Sequence, residues 1–371
     1  MLVGDKAKYL GLVFGVTFAT LLMTQQISIF MGILERTASQ INDVREADIW
    51  VMDNKVRFID EVPGLPEMSL HRVRGVDGVQ WAVRFYKGQV RARMHNGDFR
   101  NLVLMGLDDD TLIGAPHKMI LGTLEDLRRP DAVIIDKAGY EYMWPKEPYQ
   151  IGRTFELNDR RALLVGICQA SPPFTTLPIL YTRFSTAAGY VPKERNLMNF
   201  ILAKPKPGIA VERVCEQIHY QTGLQALSQG QFRQKTLQYF LASTGIPVNF
   251  GITISLGFIV GAAITGQTFY LFTIENLKQF GALKAMGVNN LKLMGMILIQ
   301  ALVVGVIGYG IGLGLTASFF EATSGITHLA GLHMTWMAAL GVGAAVLLII
   351  SLTALVSIRK VLVLEPAIVF R

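Results

Sequence analysis

Four long apolar runs and one long mixed stretch set the plan of this chain. Tyr9 to Leu34 passes 26 positions without a charge, more than the roughly 20 residues a helix needs to cross a bilayer. Comparable runs lie near Val248–Phe272, Leu293–Phe320 and Met334–Ile358. The first run is too long for the core of a signal peptide and no small-residue cleavage site follows it, so it reads as a retained span. Beyond Leu34 a helical pattern continues, with Ile33, Thr37, Ile41 and Val44 on one face and Glu35, Arg36, Gln40 and Arg45 on the others. That is the pattern of a stalk. From Ala47 to Ala226 strand and helix periods alternate. Strands are predicted over Ala47–Met52, Val79–Tyr86, Gln89–His95, Arg100–Met105, Ala132–Ile135, Arg161–Ile167 and Phe200–Ala203. Helices are predicted over Glu67–Arg74, over Val211–Thr222 after Pro207-Gly208, and over the returning stalk Gln229–Ser243.

The expected fold is an α-helical membrane protein with four transmembrane helices and a mixed α/β domain inserted between helices 1 and 2. The expected divisions are 1–34 for the N-terminus and first span, 35–46 for the outgoing stalk and 47–228 for the α/β domain. The returning stalk takes 229–247, the second span 248–273 and a connecting segment 274–292. The third span, a short loop, the fourth span and a tail take 293–320, 321–333, 334–358 and 359–371.

Charge sharpens this plan. Of the 35 Lys and Arg, 27 lie between Glu35 and Lys235, as do 24 of the 28 Asp and Glu. With 51% hydrophobic residues and a mean hydropathy of +0.37, such segregation marks a membrane protein with one large aqueous domain. The net charge of +7 is no argument for nucleic acid, since Arg84, Arg91, Arg93 and Arg100 alternate with apolar residues as on a strand with a solvated face. Short flanks carry Lys6 and Lys8, then Lys278, Lys284 and Lys292, then Arg359, Lys360 and Arg371, whereas Glu321–His333 has no Lys or Arg. The positive-inside rule puts both termini and segment 274–292 in the cytoplasm and the α/β domain outside.

The cytoplasmic segment Glu275–Val288 carries Glu275, Lys278 and Lys284, glycines at Gly281 and Gly287, and an apolar set of Leu277, Phe280, Leu283 and Met286. Their spacing makes an apolar stripe on a short helix, with Gly287 as its stop. Such a helix suits docking of a cytoplasmic partner. The third span holds Gly308 and Gly312, and Gly310 and Gly314, each pair four apart, which allows close helix packing within the chain or a dimer seam. Gln25 and Gln26 in the first span face another helix or a polar membrane cavity.

Catalytic patterns are missing from the sequence. It has no GxxxxGK[ST] loop, no HExxH, no CxxC and no GxSxG. His328 and His333 are five apart without a third ligand nearby, Asp108-Asp109-Asp110 reads as a loop or helix cap, and Cys168 and Cys215 could pair only outside the cytoplasm. No ionisable residue lies within a span. No catalytic, cofactor-binding or metal residue is expected in this chain.

The order of parts resembles an FtsX-like, MacB-type ABC-transporter permease over essentially the whole chain. Phe280-Gly281-Ala282-Leu283-Lys284-Ala285-Met286-Gly287 resembles the later part of that family's cytoplasmic segment, with the acidic residue further upstream than usual. Arg359-Lys360 followed by Glu365-Pro366-Ala367 resembles its closing turn, and Ala47-Asp48-Ile49-Trp50-Val51-Met52 looks most like the DevC branch. MacB's fused ATPase is missing, and little of the family's amphipathic segment precedes Lys6. The resemblance implies a MacB-like periplasmic core and an inner-membrane location. It also implies two copies of a separate cytoplasmic ABC ATPase that binds ATP and Mg, and a second permease copy in a homodimer or a heterodimer. In several branches it implies a periplasmic adaptor and an outer-membrane channel. The resulting expectation is a non-catalytic subunit that carries conformational work to the periplasm, with Lys284 meeting an acidic ATPase surface and Phe280 and Leu283 filling its groove. Two alternatives stay open. One is a signalling scaffold of the cell-division kind. The other is efflux of a hydrophobic compound such as haem through a cavity near Gln25, Gln26 and Thr265–Thr268.

Overall fold

The computed structural model describes residues 6–94, 97–191, 197–324 and 332–362, the last three by backbone alone. His95, His328, the 365–367 turn and Arg371 lie outside the described residues. The chain forms two compact units, Ile33–Thr244 and the flanking Met1–Gly32 with Gly245–Arg371. Helix α1 (Lys6–Thr37) passes from one to the other in sequence.

The α/β unit contains α2 (Ser39–Asp43), β1 (Ile49–Met52), α3 (Glu67–Arg74), β2 (Val79–Arg93), β3 (Phe99–Leu107) and β4 (Lys118–Leu121). These are followed by β5 (Ala132–Asp136), α4 (Lys137–Met143), β6 (Thr154–Leu157), β7 (Arg160–Gln169), β8 (Ile179–Arg183) and α5 (Phe184–Tyr190). Last come β9 (Phe200–Pro205), α6 (Val211–Thr222), β10 (Gln225–Ser228) and α7 (Gln229–Ser243). The sheet runs β10-β1-β9-β2-β3-β8-β5-β7-β4, with β6 pairing both β2 and β7. It is mixed, because β3–β8 and β5–β7 are parallel and the other pairs antiparallel. The two strands expected on either side of Lys87-Gly88 are one strand. Lys87 and Gly88 stay in the ladder opposite Met105 and Leu104, and the Tyr86 ring occupies the space a side chain at Gly88 would need.

Trp50 anchors the largest core, with ring centroids 5.7, 5.4 and 5.5 Å from Phe85, Phe200 and Phe232. The residues read as stalks join this core. Ala38, Ile41 and Val44 are buried in it with Phe232, and Gln229 Nε2 donates to the carbonyls of Ile41 and Val44 at 2.8 and 2.7 Å. The stalk periodicity was real, but its apolar face meets the α/β core. Asp108 accepts from Thr111, and Asp109 accepts from the backbone N–H and hydroxyl of Ser185 in the first turn of α5, as caps do. Cys168 and Cys215 are free and buried in different cores. Burial pushes both thiols up, Cys215 to about 12, so both stay protonated and unreactive at neutral pH.

The helical unit contains most of α1 together with α8 (Ile246–Glu275), α9 (Leu277–Ala285), α10 (Asn290–Thr323) and α11 (Trp336–Leu362). All but α9 are long and apolar enough to cross a membrane. Helix α11 packs against α8 and α10. Helix α1 meets the same two helices through small residues. A Cβ on Gly15 would lie 2.9 Å from Ile264 and 3.1 Å from the Thr265 hydroxyl, and Gly261 lies against Ala19. On the other face, a Cβ on Gly308 would come within 2.7 Å of Val16, and one on Gly312 within 2.6 Å of Thr20. Thr17 Oγ1 donates to the Gly308 carbonyl at 3.2 Å, a bond that this close approach permits.

Candidate functional site

Only Asn276 separates α8 from α9, and it is fixed at both ends. Its side chain donates to the Phe272 carbonyl at 2.8 Å, and its own carbonyl accepts from Gln279 and Phe280. The far end of α9 closes with a left-handed stop. Gly287 has φ +90°, its N–H donates to Lys284 O, and Val288 N–H reaches back to Leu283 O. These are the paired bonds of a Schellman motif, and Leu283 and Val288, the residues that usually meet across it, both pack on the same core. Gly287 therefore ends the helix, as the spacing predicts.

The apolar stripe has a different partner from the expected one. Phe280 is 1% exposed and sits in a core with Phe269, Phe272, Leu293, Ala354 and Ile358 from α8, α10 and α11. Leu277 and Leu283 pack against that core, and Gly281 is buried beside Phe280. Phe280 thus does not present a face to a partner's groove, and Leu283 is half-buried beside it. A helix joined to α8 by one residue meets the ends of its own spans first. Glu275, itself exposed, makes an ion pair with Lys8 of α1. What remains exposed is Lys278, Gln279, Ala285 and Met286, the last at 73%, with Lys284 half-buried beside them. Periodicity identified the apolar face of α9; it could not tell an intramolecular core from a docking surface.

The buried face packs α9 against α8 and α11, and the Lys8–Glu275 pair joins α8 to α1 at the same end.

Of the six glycines of α10, Gly308, Gly310, Gly312 and Gly314 divide by face. Gly308 and Gly312 pack on α1, whereas a side chain at Gly310 or Gly314 would meet nothing within 4 Å. The first pair is thus internal packing and no dimer seam. Helix α1 also forms a seam with α8, through Gly11, Gly15 and Ala19 against Gly257, Gly261 and Thr265. The signal for it in the sequence is the spacing of small residues four apart on two spans at once. Gln25 and Gln26 are half-buried and line none of the cavities described here, all of which belong to the α/β unit.

No curated protein matches the chain. Among solved structures, the extracellular domain of the ABC-type transporter YknZ from Gram-positive bacteria is similar at 16% identity and a TM-score of 0.36, over 49% of this chain and 98% of that one. The periplasmic region of MacB from Actinobacillus actinomycetemcomitans is similar at 14% identity and a TM-score of 0.39, over 52% and 94%. Scores this low carry no weight as to function. Residues 251–366, which hold most of α8 and all of α9, α10 and α11, match the family model described as FtsX-like permease C-terminal.

Proposed function

We propose that this chain is the permease subunit of an FtsX-like ABC transporter, closest to the DevC branch, that carries conformational work from a separate ATPase to an extracytoplasmic domain and so extrudes a substrate. The observation that carries this reading is α9. It lies inside the family-matched stretch, grips the ends of the spans by its buried face, and offers a cationic face outward.

Two ATPase subunits bind ATP and Mg and close. They press on Lys278, Gln279, Met286 and Lys284, and Phe280 passes the displacement to α8 and α11 while Glu275 and Lys8 pass it to α1. Helix α8 has 30 residues and so reaches about 45 Å, enough to cross a bilayer. Both α1 and α8 continue in sequence into the α/β unit, which is the MacB-like periplasmic core of this reading. The coupling requires ATP to favour one outer state by a few kcal/mol, the usual size of an allosteric coupling. The termini and α9 are cytoplasmic, the membrane is the bacterial inner membrane, and the second permease copy meets the open Gly310–Gly314 face of α10. An adaptor and an outer-membrane channel complete the path.

Lys278→Glu combined with Met286→Asp tests this without disturbing the core. Co-purification of an ABC ATPase from native membranes should fall at least about tenfold, equivalent to about 1.4 kcal/mol, with the thermal stability of the helical unit unchanged. Full co-purification by the double variant would remove α9 from the coupling.

A further inference from the structure

On β2, odd- and even-numbered residues take opposite faces of the sheet. Val90 and Ala92 are buried in a core, so Arg91 and Arg93 emerge together on the other side. Their partners in the ladder on β3 are Asn101 and Phe99. A two-residue turn between β6 and β7, Asn158-Asp159, has φ of 45° and 65°, the left-handed pair typical of tight hairpins. It is held against β2. Asn158 Oδ1 accepts from Arg91 N–H at 3.1 Å, Asn158 N–H donates to Arg91 O at 3.0 Å, and Asn158 Nδ2 donates to Tyr190 O at 2.9 Å. The turn brings Arg160 into the same cleft of about 620 Å³, with a guanidinium nitrogen 3.4 Å from where a Cβ on Gly189 would lie.

All three cations of this cleft are arginines on strands fixed by backbone pairing. Arg91 stacks on the Phe99 ring at 4.6 Å, and that ring is 52% exposed. Stacking holds a guanidinium by its face and leaves its N–H edge for an oxyanion. Arg93 has Glu156 at 3.6 Å, and Asp159 lines the cleft. Three arginines against these two carboxylates leave one positive charge in excess. Among the described residues neither Arg91 nor Arg160 is in an ion pair. The Asn101 and Gln89 amides add neutral donors at the rim.

We infer that this cleft is a binding site for a phosphate-type oxyanion, gripped by Arg91 and Arg160 with Arg93 in support. An anion offsets the excess positive charge of the cleft, and arginine forks match the geometry of phosphate oxygens. Gln89 also lines a second cavity of about 400 Å³, with Lys87 and Asp60 in its wall.

The test uses the full-length protein in phosphatidylcholine nanodiscs, titrated calorimetrically with inorganic phosphate and, separately, with soluble dihexanoyl phosphatidic acid. Binding of at least one probe is expected, weakened about tenfold or more in Arg91→Gln/Arg160→Gln and unchanged in Arg213→Gln, which lies outside the cleft. Tryptophan fluorescence checks that the double variant is folded. Binding of phosphate points to a soluble oxyanion, and binding of phosphatidic acid alone to a lipid headgroup; either supports the site. Failure of both probes to bind, or equal affinity in the folded double variant, overturns it.

Discussion

The two units solve the same packing problem in opposite ways. The α/β unit packs a buried aromatic core, Trp50 with Phe85, Phe200 and Phe232, as a domain folded in water does. The helical unit leaves Val248, Ile252, Leu256 and Ile259 of α8 on its surface and places glycine, alanine and threonine between its helices. Lipid is as apolar as leucine, so large apolar side chains gain little by hiding, and close approach of backbones is what holds helices together. Polar groups follow the same division. The α/β unit buries charges, Asp136 among them with backbone bonds from Gly139 and Ile179, and Lys87 with Asp60. The spans bury hydroxyls, and Thr20, Thr273 and Thr316 return their protons to carbonyls of their own helices. One chain thus carries two sets of folding rules, and the change falls where the charge density changes.

The largest effect should separate the two rules outright. Trp50→Ala should cost the α/β unit about 3–5 kcal/mol, the usual range for removing a buried large aromatic. Leu256→Ala, 54% exposed, should cost the helical unit less than about 0.5 kcal/mol. Denaturant melts followed by Trp81 and Trp144 fluorescence read the first, and thermal melts in nanodiscs read the second. Comparable losses would show that both units live by one rule.

A smaller effect concerns buried charge. Burial pushes Asp136 from 3.8 up to about 6, against the backbone hydrogen bonds that favour its ionised form. Its folded value lies above its unfolded one, so its contribution is fully present below about 3.8 and is lost as pH rises through about 6. The loss is roughly 3 kcal/mol, at 1.36 kcal/mol for each unit. Asp136→Asn should flatten the difference in α/β stability between pH 4 and pH 7 relative to the parent. An identical pH profile in the variant would mean that Asp136 does not titrate there.

The smallest effect lies within the spans. Gly308→Val should destabilise the helical unit by about 1–3 kcal/mol through overpacking against Val16, and Gly310→Val should leave the isolated subunit unchanged. Thermal melts of the purified permease compare the two; equal losses would contradict the division of the glycines by face.

Much of this was legible in the residues. Glu67–Arg74, Val211–Thr222 and Gln229–Ser243 occur as helices at the predicted bounds, because proline or glycine turns open the first two and Gly223, in the left-handed region at φ 72°, stops the second. Strands β4, β6 and β10 are four residues each, too short for alternation to rise above chance. Lys87 looked like a break in a strand because its burial depends on Asp60, 27 residues away in sequence. Phe280 shows the same limit at the candidate site. Spacing places it on the apolar face of α9, but only tertiary packing decides whether that face meets a partner or the chain's own spans. The arginine cleft was half visible: Arg91 and Arg93 alternate along the sequence, and Arg160 joins them only through the hairpin turn at Asn158-Asp159.

Everything in the proposed mechanism requires α9 and the α/β unit to lie on opposite sides of one membrane. The direct measurement labels single cysteines at Lys278 and Arg128, both exposed, with a membrane-impermeant maleimide in sealed right-side-out vesicles. Cys168 and Cys215 are replaced by alanine beforehand. The account predicts that Arg128→Cys labels at once and that Lys278→Cys labels only after the vesicles are opened. Labelling of both positions from the same side of intact vesicles would contradict it.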